Sequence, residues 1–167
     1  GNSMLQFGTA VRDITPHFPV WAFGYANRTK CSSGVLEPVT LGCLAVSDWD
    51  TQVLIFALDM IGVRSDVCDE LYAFLEEEMG IGYPNIMLSG SHTHFAPALH
   101  GAISRDPKCA LVDEDPDYVA LFKKRMVEAA VEALDNLRPM RLEVARVNVP
   151  QVVFNRRTVR KSDGMVE

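Results

Sequence analysis

The segment "NIMLSGSHTHFAPALHG", residues 85–101, holds three of the four histidines in the 167-residue chain. His92 and His94 stand one residue apart, just after a short apolar run. Neutral imidazole is a good zinc ligand, and a catalytic zinc usually has three protein ligands and a water. A zinc so held lowers the pKa of its water and polarises a carbonyl. One ring of such a pair can hold the metal while its neighbour hydrogen-bonds substrate or orients water. On a helix, residues i and i+2 point nearly apart, whereas on extended backbone they share a face. A common site for His92 and His94 therefore predicts an extended chain there. The β-branched Thr93 favours that state, and Pro97 biases Ala96 away from the helical region. Spacing alone is equally met by hydrogen-bonded loop histidines with no role. His100 and His17, one in a loop and one in a Pro-bounded turn, read as structural or surface residues.

Other groups carry weaker signals. Asp59 follows an apolar strand, where it either orients a ligand histidine or caps a local turn. Tyr25, after Gly24, either lines the site or packs within its loop. Arg156 and Arg157 suit an anionic or carbonyl group, or form a solvated pair. "DEDPD", residues 113–117, reads as a helix start, since it lacks the alternating oxygen ligands and glycine of a calcium loop. None of Cys31, Cys43, Cys68 and Cys109 forms a C-x-x-C pair, which argues against a zinc ribbon and favours reduced, structural thiols.

The elements that must position these residues read clearly. Leu5 to Ile14 is a strand stopped by Pro16. "VTLGCLAVSD" and "VLIFAL" are two more strands joined by a polar turn at Ser47–Thr51. Asp66 to Met79 is a helix with Ser65 as N-cap, an apolar face at Val67, Leu71, Phe74, Leu75 and Met79, and Gly80 at its end. "NIMLSG" is a short buried strand, and the histidines follow it. A long helix starts near Pro116, capped by Asp115, with Val119, Phe122, Met126, Ala130, Val131, Leu134 and Leu137 as its apolar stripe; Pro139 stops it. "RLEVARVNV" is a further strand with partial alternation. The order predicts an α/β (α+β) architecture, a mixed sheet layered with helices. "VLIFAL" and "IMLSG" are apolar on both faces, as central strands are. Ligand sites in such sheets lie at the carboxyl ends of strands, where the histidines fall.

Composition sets the remaining bounds. A formal net charge of −6 argues against a nucleic-acid footprint. No apolar run approaches the roughly 18–20 residues of a transmembrane helix. Gly1–Met4 reads as an expression remnant and residues 5–167 as one incomplete domain. The expected location is soluble, either cytoplasmic or secreted with its signal removed. Oligomeric state is not legible.

The segment "NIMLSGSHTHFAPAL" resembles the histidine motif of the neutral/alkaline non-lysosomal ceramidases. "FGYAN", "VLIFALDMIGV" and "FNRR" resemble further segments of that family in the same order, so the likeness runs from about Phe7 to Gly164. The resemblance implies a zinc-dependent amidohydrolase acting on a linear amide of the sphingolipid type, a small-molecule or lipid N-acyl amide. It implies that His92 is a zinc ligand, that His94 contacts substrate or the developing oxyanion, and that Arg156 lies near the substrate. Asn155 and Tyr25 would help bind substrate. The family's further zinc ligands, a histidine, a glutamate and a tyrosine, have no counterpart before Glu167. "GVLEPVTLGCLAV" lacks the family's His and Arg, and Phe95-Ala96-Pro97 stands where Ser-Gly-Pro is usual. The alternative is a non-catalytic binding or scaffold domain that keeps the fold with an incomplete metal site.

Overall fold

The computed structural model describes residues 4–17, 19–97, 99, 116–153 and 159–165. Strands β1 (Gln6–Asp13), β2 (Thr40–Ser47) and β3 (Gln52–Leu58) form an antiparallel meander. Helix α1 (Ser65–Met79) then crosses over to β4 (Ile86–Gly90), which pairs with β3 in parallel. After α2 (Pro116–Asp135), the two-residue β5 (Arg138–Pro139) pairs with the start of β1. The sheet order is β4-β3-β2-β1-β5, a mixed sheet as the sequence predicts.

Side-chain alternation decides which face is covered. Leu41, Cys43 and Ala45 of β2 and Leu54, Phe56 and Leu58 of β3 are buried, and the residues between them are half-buried or exposed. Tyr118, Phe122, Met126, Ala129, Ala130 and Ala133 of α2 join Leu71 and Leu75 of α1 in the same core. The small residues let α2 lie close on β1. A Cβ on Gly8 would stand 1.9 Å from the Ala133 carbonyl oxygen, so only glycine fits there.

The turn between β2 and β3 forms where expected, with the Asp48 carboxylate accepting the Asp50 and Thr51 N–H groups at 3.2 and 2.8 Å. Gly80 ends α1 in the left-handed region at φ 71°. Four expectations need correction. Ser65 is the first helical residue and Arg64 the N-cap, without a side-chain cap bond; Asp66, forked to the Arg64 guanidinium at 2.6 Å, supplies the negative charge at that end. Val131 is exposed, because the α2 stripe is rotated toward Ala129 and Ala133. Strand β4 lies at the edge of the described sheet, with Met87 exposed. Residues 141–149 form no ladder, and Leu142, Val144 and Val147 stand in solvent.

The cysteines divide. Cys43 and Cys68 are free thiols, but Cys31 is disulfide-bonded, against the expectation of reduced thiols throughout. Its partner lies outside the described residues, and linear spacing gave no sign of the pair. Among the described residues no helix is long and apolar enough to cross a membrane.

Candidate functional site at the ends of strands β3 and β4

The parallel pair β3 and β4 directs both carboxyl ends to one rim of the sheet. Past Gly90 the backbone keeps bonding to the end of β3 and the residues beyond it, with Ser91 N–H donating to the Leu58 carbonyl and His92 N–H to the Met60 carbonyl, both at 2.9 Å. His92 then turns into the left-handed region at φ 63°, not the extended state its spacing predicts. Its ring explains how that conformation is held. Nδ1 lies 2.7 Å from the Ile61 carbonyl oxygen. A carbonyl can only accept, so Nδ1 is the donor of this bond, and Nε2 is the atom that carries the lone pair of a neutral ring.

The His94 ring lies 5.0 Å from the His92 ring, at 75° to it. The two rings thus meet although the chain between them is not uniformly extended. Tyr25 approaches His94 edge-on, also at 5.0 Å. Gly24 makes that contact possible: it has φ 119°, and a Cβ there would fall 2.4 Å from His94 Cγ.

The loop before β2 is tied to the histidine segment. Phe23 N–H donates to the Ala96 carbonyl at 2.9 Å. Arg28 donates to the carbonyls of Ala22 and, at 3.0 Å, His94. Its guanidinium sits 5.2 Å from the Tyr25 ring centre and 5.9 Å from that of Phe95. Sequence reasoning missed this residue. It stands in "GYANR" with no periodic or motif signal, and its partners are main-chain carbonyls.

A cavity of about 530 Å³ adjoins the site, walled in part by Arg28, Cys31, Asp59, Thr93 and Phe95. Thr93 and Phe95 alternate with the histidines, and the histidines themselves do not line it. His92 is exposed and His94 half-buried, so the ring pair opens beside the cavity instead of inside it. Asp59 resolves toward its structural reading: its carboxylate accepts the Thr40 N–H at 2.9 Å and the Thr40 hydroxyl at 3.0 Å, fixing the start of β2. The Ile61 carbonyl, and not the Asp59 carboxylate, is the partner of His92 Nδ1.

Tyr25, His92 and His94 are therefore brought together. Asn155, Arg156, Arg157 and His100 lie outside the described residues. Among the described residues no three His, Cys, Asp or Glu side chains gather closely enough to hold a metal.

Comparison with solved structures places the fold in a known architecture. A neutral ceramidase from Pseudomonas aeruginosa matches with a TM-score of 0.64 over 83% of this chain, at 18% identity. A ceramidase complexed with C2 matches equally, with a TM-score of 0.64 and 18% identity over 83% of this chain. The fold is ceramidase-like. The chain spans only 23% and 22% of the length of those two solved chains. No protein-family model and no curated protein sequence matches it.

Proposed function

We propose that this ceramidase-like fold carries part of the active site of a zinc-dependent hydrolase that cleaves an N-acyl amide of the lipid type. The observation that supports it best is the pairing of His92 and His94 at the ends of β3 and β4, with His92 Nδ1 committed to a carbonyl. That second bond fixes tautomer and ring direction, as for histidines that ligate metals. His92 fits zinc through Nε2. The described residues supply no set of three ligands, so the remaining donors must come from elsewhere. Zinc held there would acidify a water and polarise the amide carbonyl.

The chain's own groups have separable tasks. His92, with Nδ1 committed to the Ile61 carbonyl, offers Nε2 as the metal-binding atom. His94, half-buried against Tyr25, is set to pass a proton to the amine as it leaves, or to hydrogen-bond the carbonyl oxygen as it gains charge. Tyr25 walls the substrate side, and Arg156 and Asn155 are the further substrate contacts. In the reaction, water oxygen adds to the carbonyl carbon, the C–N bond breaks, and the amine departs with a proton. The disulfide at Cys31 supports an oxidising location, and so the secreted alternative.

Two measurements test the reading. The full-length protein, with the donors that this chain does not supply, is expected to hold about one zinc per chain by elemental analysis after dialysis, with His92→Ala abolishing that zinc and the amide hydrolysis that accompanies it. Full zinc retention in His92→Ala rejects His92 as ligand. A chain that holds no zinc at all and hydrolyses no N-acyl amide fits the alternative, a binding domain that kept the fold.

A further inference from the structure

We infer that Arg28 is the positioning residue for His94, acting through the backbone and through the aromatic wall beside the ring; this rests on the amidohydrolase reading for its catalytic consequence, though not for its geometry. An arginine is always charged, and a half-buried one ordinarily finds a carboxylate. Among the described residues none pairs with Arg28. Its donors go instead to three main-chain carbonyls: Ala22, Phe23 at 3.4 Å, and His94 at 3.0 Å. Two of those carbonyls belong to the loop before β2, and the third belongs to the histidine itself, 66 residues away. One planar fork thus joins two segments that are also linked by the backbone bond from Phe23 to Ala96.

The fork also packs on the ring that His94 leans on. The Arg28 main-chain N–H, a tie that any residue at this position except proline keeps, donates to the Tyr25 carbonyl at 3.1 Å and closes a turn around Ala26 and Asn27. Its guanidinium faces both Tyr25 and Phe95, and those two rings stand 5.7 Å apart edge to face. His94 is therefore held at its carbonyl by Arg28 and at its ring by Tyr25, which Arg28 also holds. Lysine cannot replace this function fully: an ammonium is a point donor, whereas the guanidinium presents a rigid fork with charge over a plane.

The test compares Arg28→Met, Arg28→Lys and Gly24→Ala. By NMR, the ring-to-ring cross-relaxation between Tyr25 and His94 is expected to vanish in Arg28→Met and to persist weakly in Arg28→Lys. The bond from His92 Nδ1 to Ile61 should be unchanged in both. Gly24→Ala, which leaves Arg28 intact, should displace the same ring by direct clash. With an N-acyl amide that the wild type hydrolyses, Arg28→Met should lower kcat on the order of a hundredfold with KM within about twofold, as expected for a misplaced catalytic group. Arg28→Lys should recover about a tenth to a half of that loss. If Arg28→Met does not fold, Arg28→Lys carries the comparison. A folded Arg28→Met or Arg28→Lys with the Tyr25–His94 contact at wild-type strength overturns the proposal. Absence of hydrolysis in the wild type counts against the amidohydrolase reading alone, because the ring contact is read without turnover.

Discussion

At the scale of single residues, burial in the core beside the site has a consequence for pH. Tyr118 is buried under β1, and its hydroxyl donates to the Ile14 carbonyl at 2.8 Å. Ile14 precedes Thr15, which walls the cavity. Burial raises the Tyr118 pKa above its ordinary value of 10, and burial pushes Cys43 from 9 to about 12. Both groups are neutral in the fold and ionise more easily when unfolded. Their contribution is complete below the unfolded values and is lost as pH rises past about 9 toward the raised values. The midpoint of urea unfolding should therefore fall between pH 9 and 11. In Tyr118→Phe the fall should be shallower, while stability near pH 7 drops by about 1 kcal/mol because the Ile14 carbonyl loses its partner. A fall of wild-type steepness in that variant would assign the alkaline loss elsewhere. The pairing of the two histidine rings was legible in sequence: their spacing marked side chains that do meet at the rim of the sheet. The left-handed turn at His92 was not, because the carbonyls that hold it come from Ile61, 31 residues earlier in the chain, and its neighbour Met60. Arg28 was illegible for the same reason, since its partners are main-chain atoms that any sequence supplies.

At the scale of elements, the strands and helices were read from alternation and helical spacing, and the core bears out β1 to β4, α1 and α2. What sequence did not reveal is how closely they approach. Gly8 in β1 looks like a weak point in a strand, yet it is where α2 touches the sheet. Gly8→Ala should cost about 1–3 kcal/mol or more, since a Cβ meets a helix carbonyl that can shift only with the whole helix. Gly34 is the control. A Cβ there meets nothing within 4 Å, so Gly34→Ala should change stability by no more than about 0.5 kcal/mol. Equal losses in the two variants, measured by chemical denaturation, would mean that α2 sits farther from β1 than described. The apolar residues of 141–149 show the opposite error. Their partial alternation reads as a strand, but pairing requires a neighbour, and pattern alone does not say whether one is present.

At the scale of the whole molecule, stability should be uneven, and its distribution follows from what ties each irregular segment down. Among the described residues, the loop before β2 and residues 141–149 are two of the segments without regular structure. Ser32 secures the loop by a hydroxyl bond to the Val20 carbonyl at 2.9 Å, and Arg28 and the disulfide at Cys31 add further ties. Residues 141–149 have no sheet pairing, and Val144 is 91% exposed. A protease needs a stretch of chain that can leave the surface, and local opening costs least where few bonds must break. Trypsin under native conditions should therefore cut after Arg141 or Arg146 well before it cuts after Arg28 or Lys30, although Lys30 is itself exposed. Adding reductant should accelerate cleavage after Arg28 and Lys30 and leave the rate at Arg141 and Arg146 unchanged, because Cys31 ties the loop and residues 141–149 contain no cysteine. Mass spectrometry of the first fragments reads the order. Early cleavage at Lys30 in the oxidised protein would show that the loop beside the histidines opens freely, and that neither the disulfide nor the Arg28 fork holds it against them.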